Sequence, residues 1–170
     1  MAQEQFTDAI ALLKSDHRKV EELFDKFENA TGKDRKQKIA ETICTELKIH
    51  AMIEEEIFYP ALKGKIEDDV LSEAFVEHDG AKVLINDIMS GGADEEFYDA
   101  KVTVLSEEIE HHVEEEEKPK EGMFAQARET DVDLVALRDQ MAARKDELKT
   151  QAESEGLPPA ELVAVQQQPA

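Results

Sequence analysis

An amphipathic stretch near the start of the chain reads IALLKSDHRKVEELFDKF over residues 10–27. Apolar side chains recur in it at intervals of three and four, the period of a helix with one buried face. They are Ile10, Leu13, Val20, Phe24 and Phe27. His17 falls on the same face, between Leu13 and Val20. The stretch therefore predicts a core-facing helix that carries a histidine on its inner side.

Three later stretches have the same character, and none of them shows the alternation of a strand. We predict four long helices at about residues 7–29, 34–59, 67–90 and 94–118. Turn-forming or helix-breaking residues follow them at Thr31-Gly32, Pro60, Gly91-Gly92 and Pro119. Long amphipathic helices with short connections favour an all-α, up-down-up-down four-helix bundle.

The chain continues beyond the predicted bundle, which we assign to residues 1–127. Thr130 is expected to cap a fifth helix, an accessory element at 128–154 that packs on the bundle. Its apolar side chains are Val132, Val135, Leu137, Met141 and Leu148. Residues 155–170 contain Leu-Pro-Pro-Ala and end in Gln-Gln-Gln-Pro-Ala, so we expect a disordered tail there.

Composition narrows the class of protein. Lys and Arg number 20 and Asp and Glu 41, which gives a net charge of −21. Such a charge repels phosphate and argues against nucleic-acid and membrane partners. The single cysteine, Cys44, fits a reducing compartment. With no basic signal region and no apolar run of about 20 residues, we expect a soluble cytoplasmic protein.

Four histidines fall on the apolar faces of the four predicted helices: His17, His50, His78 and His112. At about 1.5 Å of rise per residue, each parallel pair of helices places its two histidines within about 3 Å of the same height. The heights measured from opposite ends sum to about 40 Å, close to the length of the second helix. A hydrogen-bonded core residue explains one such histidine, but four at one level predict a shared site.

Two glutamates extend this site. Glu54 follows His50 by four residues and Glu116 follows His112 by four, so each shares its histidine's helix face. Glutamate is common in this chain, but these two stay on the inward stripe, where an unpaired carboxylate is costly. Four imidazoles and two carboxylates are compatible with iron, manganese or zinc. Six ligands exceed one tetrahedral zinc and suit two carboxylate-bridged metals with open positions.

The same residues resemble the hemerythrin-like, or HHE cation-binding, family over about residues 8–127. The matching motifs are Asp16-His17, His50-Ala51-Met52-Ile53-Glu54 leading to Phe58-Tyr59-Pro60, Glu77-His78, and His111-His112-Val113-Glu114-Glu115-Glu116. The resemblance implies two non-haem iron ions with an oxo or hydroxo bridge. Its implied metal ligands are His17, His50, Glu54, His78, His112 and Glu116, with Glu54 and Glu116 bridging. His111 is the family's frequent extra histidine, expected beside the site or on the surface.

Two departures bear on function. Oxygen-carrying hemerythrins have a second histidine one turn after the first in the third helix, where this chain has Lys82. Residues 118–124 also interrupt what is commonly a regular helix end. Both argue against simple reversible oxygen carriage. They favour a site with room for water or for a small oxidant such as oxygen, peroxide or nitric oxide.

Three functions stay open from the sequence. The first is a di-iron protein that binds or reacts with a small oxidant, although no dedicated catalytic acid or base stands out. The second is an iron-sensing or iron-storage module whose accessory helix or tail reports metal occupancy. The third is a metal-free acidic scaffold. We predict that Cys44 is a structural residue. Tyr59 is expected to pack against Pro60 at a helix end, with an approach to the site from the end of the second helix as the alternative.

Overall fold

The computed structural model describes residues 6–166, which are helical over most of their length. The helices are α1 (Ala9–Asn29), α2 (Lys33–Ile53), α3 (Tyr59–Leu62), α4 (Asp68–Ser90), α5 (Tyr98–Glu117), α6 (Met123–Arg128) and α7 (Leu134–Ser154). A π-helical turn, Glu54–Phe58, joins α2 to α3. None of the helices among these residues has both the length and the apolar character needed to span a membrane.

The four long helices form a closed ring, in which α1 packs on α2, α2 on α4, α4 on α5 and α5 on α1. The predicted all-α bundle is confirmed. α7 lies across α1, α2 and the π turn, while α6 packs against α5. The accessory helix α7 therefore covers the α1–α2 side of the bundle near the π turn.

The core consists of two separate apolar clusters along the bundle axis. One contains Leu13, Ile53 and Ala74 together with residues of α6 and α7. The other contains Val20, Leu47, Ala81 and Leu105. On each of α1, α2 and α4, the inward histidine falls in the sequence between residues of the two clusters. The four histidines thus form a polar layer between two apolar ends, as their common level predicts.

Pro60 does not end the second helix, which we predicted to stop there. The helix widens into the π turn, where the Tyr59 N–H donates to the Glu54 carbonyl, and it continues to Leu62. Proline lacks an N–H and its ring crowds the carbonyl four residues earlier. A widened turn before Pro60 relieves this conflict, and π turns of this kind are frequent at functional sites.

Two other predicted boundaries are wrong. Residues 94–97 form a turn before α5, and Phe97 is 63% exposed because the helical stripe begins only after it. Thr130 does not cap the accessory helix. Its hydroxyl donates to the Ala127 carbonyl, and Asp133 caps α7 by accepting from two backbone N–H groups. Of the side chains predicted to pack, Val135 is exposed.

Part of the segment 155–170, for which we predict a disordered tail, makes specific contacts with α4 among the described residues. The backbone N–H groups of Val163, Ala164 and Val165 donate to the carboxylate of Asp79. Asn86 accepts from the N–H of Ala160 and donates to its carbonyl. Side chains of α4 therefore replace the regular backbone pairing that this proline-containing segment lacks. Residues 1–5 and 167–170 lie outside the described residues.

Candidate metal centre

Each of the four inward histidines has a carboxylate on its Nδ1 atom. His17 Nδ1 lies 2.7 Å from Glu117 and His50 Nδ1 lies 2.9 Å from Asp16. His78 Nδ1 lies 2.7 Å from Glu55, and His112 Nδ1 lies 2.9 Å from Glu77. An ionised carboxylate only accepts hydrogen bonds, so Nδ1 is the donor in every pair. The lone pair of neutral imidazole is then left on Nε2, the atom available to a metal.

These four pairs form a cycle around the bundle. Asp16 of α1 holds the histidine of α2, and Glu55 of the π turn holds the histidine of α4. Glu77 of α4 holds the histidine of α5, and Glu117 of α5 holds that of α1. Each carboxylate is adjacent in sequence to an inward ligand candidate of its own helix. Around the bundle, in the order α1, α2 with its π turn, α4 and α5, each helix therefore orients the imidazole of the helix that follows it, and α5 orients that of α1.

The structure brings all six predicted ligand candidates together in the histidine layer. His17, His50, Glu54 and Glu116 offer atoms within 4.8 Å of one another, and Glu54, His78 and His112 form a second such group. All six side chains are buried. Glu54 belongs to both groups, which is the arrangement that a carboxylate shared by two cations requires.

Both inward carboxylates lie between histidines of different groups. Glu54 Oε1 lies 3.0 Å from His50 Nε2 and 3.2 Å from His78 Nε2. Glu116 Oε1 lies 3.3 Å from His17 Nε2 and 3.3 Å from His112 Nε2. A cation near each pair of histidines would thus meet both glutamates.

Several of these atoms lack hydrogen bonds. Both carboxylate oxygens of Glu54, Glu116 Oε1, and the Nε2 atoms of His17 and His50 have no hydrogen-bond partner within residues 6–166. Buried polar atoms are seldom left unsatisfied, because each costs roughly 1–3 kcal/mol. A cluster of orphaned nitrogen and oxygen donors is therefore what a metal site requires, and the residues present fit one.

The buried carboxylates of the cluster favour positive charge on the groups around them. Burial by itself would lower the pKa of His112, but Glu116 and Glu77 raise that pKa to about 10. Burial opposes ionisation of Glu116, yet His112 and His17 hold its pKa well below the usual range. The buried carboxylates thus keep positive charge in the layer, a role that bound metal ions fill equally well.

Tyr59 belongs to this site, which is the alternative to the helix-end packing that we favoured from the sequence. Its hydroxyl donates to Glu116 Oε2 at 3.0 Å and lies 3.2 Å from His78 Nε2. The ring is fully buried, and burial together with the nearby Glu116 and Glu54 raises the pKa of Tyr59 well above its ordinary value. Tyr59 directly follows the π turn Glu54–Phe58.

Lys82 stands where a further histidine occurs in oxygen carriers, and it contacts the carboxylates around the site. Its Nζ donates to Glu55 Oε1 at 2.9 Å, and Glu55 in turn holds His78. His111 is 64% exposed and lies 3.1 Å from Glu77, the carboxylate that holds His112. As expected, His111 lies beside the site and its ring faces solvent.

Comparison with known proteins agrees with this geometry. The hemerythrin HHE cation-binding domain matches residues 8–120, which include all six ligand candidates. The chain belongs to the hemerythrin HHE cation-binding family. Together with the buried His/Glu cluster, this membership makes it a metal-binding hemerythrin-like protein.

A solved hemerythrin-like structure shares the fold. It is the crystal structure of a hemerythrin HHE cation-binding domain-containing protein from Mycobacterium kansasii, with a TM-score of 0.72 and 22% identity. The match covers 89% of this chain and 96% of that protein, so it extends beyond the HHE domain itself. None of the curated proteins compared with the chain matches it.

Proposed function

We propose that this hemerythrin-like protein holds two non-haem iron ions and binds or reacts with a small oxidant: oxygen, peroxide or nitric oxide. The observation that supports this best is the position of Glu54 and Glu116, each between histidines of both ligand groups. Two bridging carboxylates and four imidazoles form a donor set suited to a pair of borderline transition metals. Manganese and zinc are compatible with the same donors.

The chain's own residues would do three things at this centre. The outer carboxylates orient the four imidazoles, so that little reorganisation accompanies metal binding. They are Asp16, Glu55, Glu77 and Glu117. The two apolar clusters limit the entry of water from both ends of the bundle. Tyr59 offers a further oxygen donor to the second group, which has fewer histidine and carboxylate ligands than the first. Two bound ferrous ions would supply the electrons and the open positions that reaction with a small oxidant requires.

The test combines metal analysis with oxidant titration. We expect protein from iron-rich medium to contain about two iron ions per chain. Anaerobic ferrous protein should change its visible absorption stoichiometrically when oxygen, hydrogen peroxide or nitric oxide is added. His111→Ala is the matched control and should behave as the parent. Substoichiometric iron, or a spectrum that none of the three reagents alters, would contradict the proposal.

A second candidate function, iron sensing, rests on one contact. Lys145 of α7 pairs with Asp16, the carboxylate that orients His50. Metal binding at His50 could therefore be transmitted to the accessory helix. Hydrogen exchange separates the two functions: protection that changes across residues 134–154 on metal loading favours sensing. Unchanged protection there with rapid oxidant consumption favours the first function.

A further inference from the structure

A cavity of about 500 Å³ lies against the histidine layer, and His17, His50, His78 and His112 form part of its wall. This volume exceeds what two metal ions and a few waters need, and it falls within the range of about 300–1,000 Å³ typical of small-molecule sites. Most of its wall is apolar. The apolar side chains include Val20, Leu47, Phe75, Ala81, Ile85 and Ile109. The cavity therefore suits a molecule with a sizeable apolar part.

The C-terminal segment closes one side of this cavity. Pro158, Pro159 and Ala160 belong to its wall. Asn86 holds Ala160 through both backbone polar groups, and Lys82 donates to the Glu161 carbonyl at 2.8 Å. The wall is thus fixed by specific hydrogen bonds to α4, and the space behind it is a defined part of the fold.

One charged group in the wall lacks a counter-ion. Lys48 is only 5% exposed, and its Nζ makes a single long hydrogen bond of 3.4 Å to the Leu157 carbonyl. No carboxylate lies within 4.0 Å of this Nζ among residues 6–166. By contrast, two other buried or half-buried acids of the wall are paired: Asp16 with Lys145 and Glu55 with Lys82.

A buried ammonium group without an anionic partner is costly and rare. An anionic ligand would supply the missing partner. The cavity's apolar wall and the chain's net charge of −21 disfavour multiply charged anions such as phosphates. A ligand with one negative charge and an aliphatic body satisfies both constraints.

We propose that this cavity binds an aliphatic monocarboxylate of medium chain length, with the carboxylate on Lys48 and the chain against the apolar wall. The ligand would lie next to the histidine layer without needing a metal for its recognition. The ligand would therefore share the cavity with the proposed metal centre, but its recognition rests on Lys48 and the apolar wall. Protein that carries full iron and does not bind octanoate would refute this proposal alone.

Isothermal titration of the full chain, as purified, with octanoate tests the proposal, with octanol and acetate in parallel. We expect saturable octanoate binding that is at least about tenfold tighter than that of either comparison compound. Octanol keeps the chain and loses the charge, whereas acetate keeps the charge and loses the chain. Lys48→Met should weaken octanoate binding at least about tenfold and leave octanol binding unchanged.

Two further variants keep the test decisive. Lys38→Met removes an exposed lysine of the same helix and should leave octanoate binding unchanged. Ala81→Leu fills part of the cavity and should weaken the binding of octanoate and of octanol alike.

Lys48→Met should melt at or above the parent temperature, because it removes a buried unpaired charge. Unsaturable octanoate binding, parent-like affinity of Lys48→Met, or acetate binding as tightly as octanoate would overturn the proposal.

Discussion

Asp16 and His50, which are 34 residues apart in the chain, meet with Asp16 Oδ2 2.9 Å from His50 Nδ1. The same carboxylate pairs with Lys145 of α7. Although burial opposes its ionisation, His50 and Lys145 lower the pKa of Asp16 to about 2. One carboxylate thus connects the accessory helix, α1 and a predicted metal ligand of α2.

Replacing Asp16 by Ala should weaken metal binding by about 10- to 100-fold, because the imidazole of His50 loses the partner that fixes its tautomer and orientation. Competition with a chromophoric chelator measures this affinity. Asp25→Ala, at an exposed position of the same helix, is the control. Equal affinity in the Asp16→Ala protein and the parent would show that His50 is not a ligand oriented by Asp16.

Glu54→Ala should cut metal content well below that of the parent, since both ligand groups share Glu54. Far-ultraviolet circular dichroism should remain helical, and elemental analysis reports the metal. Glu114→Ala, an exposed residue of the acidic run in α5, should keep full metal content. A Glu54→Ala protein with full iron and unchanged visible absorption would refute the ligand assignment.

Tyr59→Phe tests whether the phenol oxygen contacts the metal. A tyrosine oxygen bound to ferric iron gives a strong visible absorption band, which phenylalanine abolishes. If the centre holds iron as proposed, we expect the variant to keep the metal through the predicted histidine and glutamate ligands but to lose this band. Visible spectroscopy and elemental analysis on the same sample separate the two effects. Identical spectra of variant and parent would limit Tyr59 to hydrogen bonding.

Acid should remove the stabilisation that Asp8 gives to α1. Burial by itself would raise the pKa of Asp8, but the Ala11 N–H and Arg128 hold it below its ordinary value of 3.8. A carboxyl group with a depressed folded-state pKa stabilises the fold above its unfolded value and loses this effect as the pH falls through the folded value.

Asp8→Asn keeps the cap but removes the charge. We expect it to be less stable than the parent by a constant amount at pH 7 and pH 5, with a smaller difference at pH 3. Urea unfolding at the three pH values measures the difference. A gap that stays the same or widens at pH 3 would be inconsistent with a depressed pKa at Asp8.

Two glycines should respond in opposite directions to alanine. A Cβ at Gly122 would lie 2.5 Å from the Lys118 carbonyl oxygen, so Gly122→Ala must move the backbone between α5 and α6. Its expected cost is about 1–3 kcal/mol. At Gly80, inside α4, the nearest contact is Glu108 Oε2 at 3.8 Å, and alanine should stabilise by roughly 0.5–1 kcal/mol. Denaturant unfolding of both variants checks the signs, and equal effects would contradict them.

The inward residues were predictable because helical periodicity is local. The interval from His50 to Glu54 fixes a shared face, and the positions of the four histidines along their helices fix a common level. The fold and the meeting of these side chains follow from such counting. The π turn was not predictable in this way. A proline gives the same local signal whether the helix ends before it, as is usual, or continues through a widened turn, as at Pro60.

The outer carboxylates were missed for a different reason. Glu55, Glu77 and Glu117 each contact a histidine on another helix, and this depends on how the helices are rotated about their axes. In a chain with 41 acidic residues, composition does not single them out. Their adjacency to inward ligand candidates is a signal that could have found them. The docking of residues 157–165 also depends on tertiary contacts, namely the side chains of Asp79 and Asn86.

The cyclic order of the outer carboxylates has a consequence for protein engineering. A grafted helix would bring its own histidine but not the carboxylate that orients this histidine, which belongs to one neighbouring helix. It would also bring a carboxylate that orients the histidine of the other neighbouring helix. Chimeras made by exchanging one helix should therefore misalign two imidazoles at once. Transplanting this centre into another scaffold requires all four histidines and their four orienting carboxylates, in addition to Glu54 and Glu116.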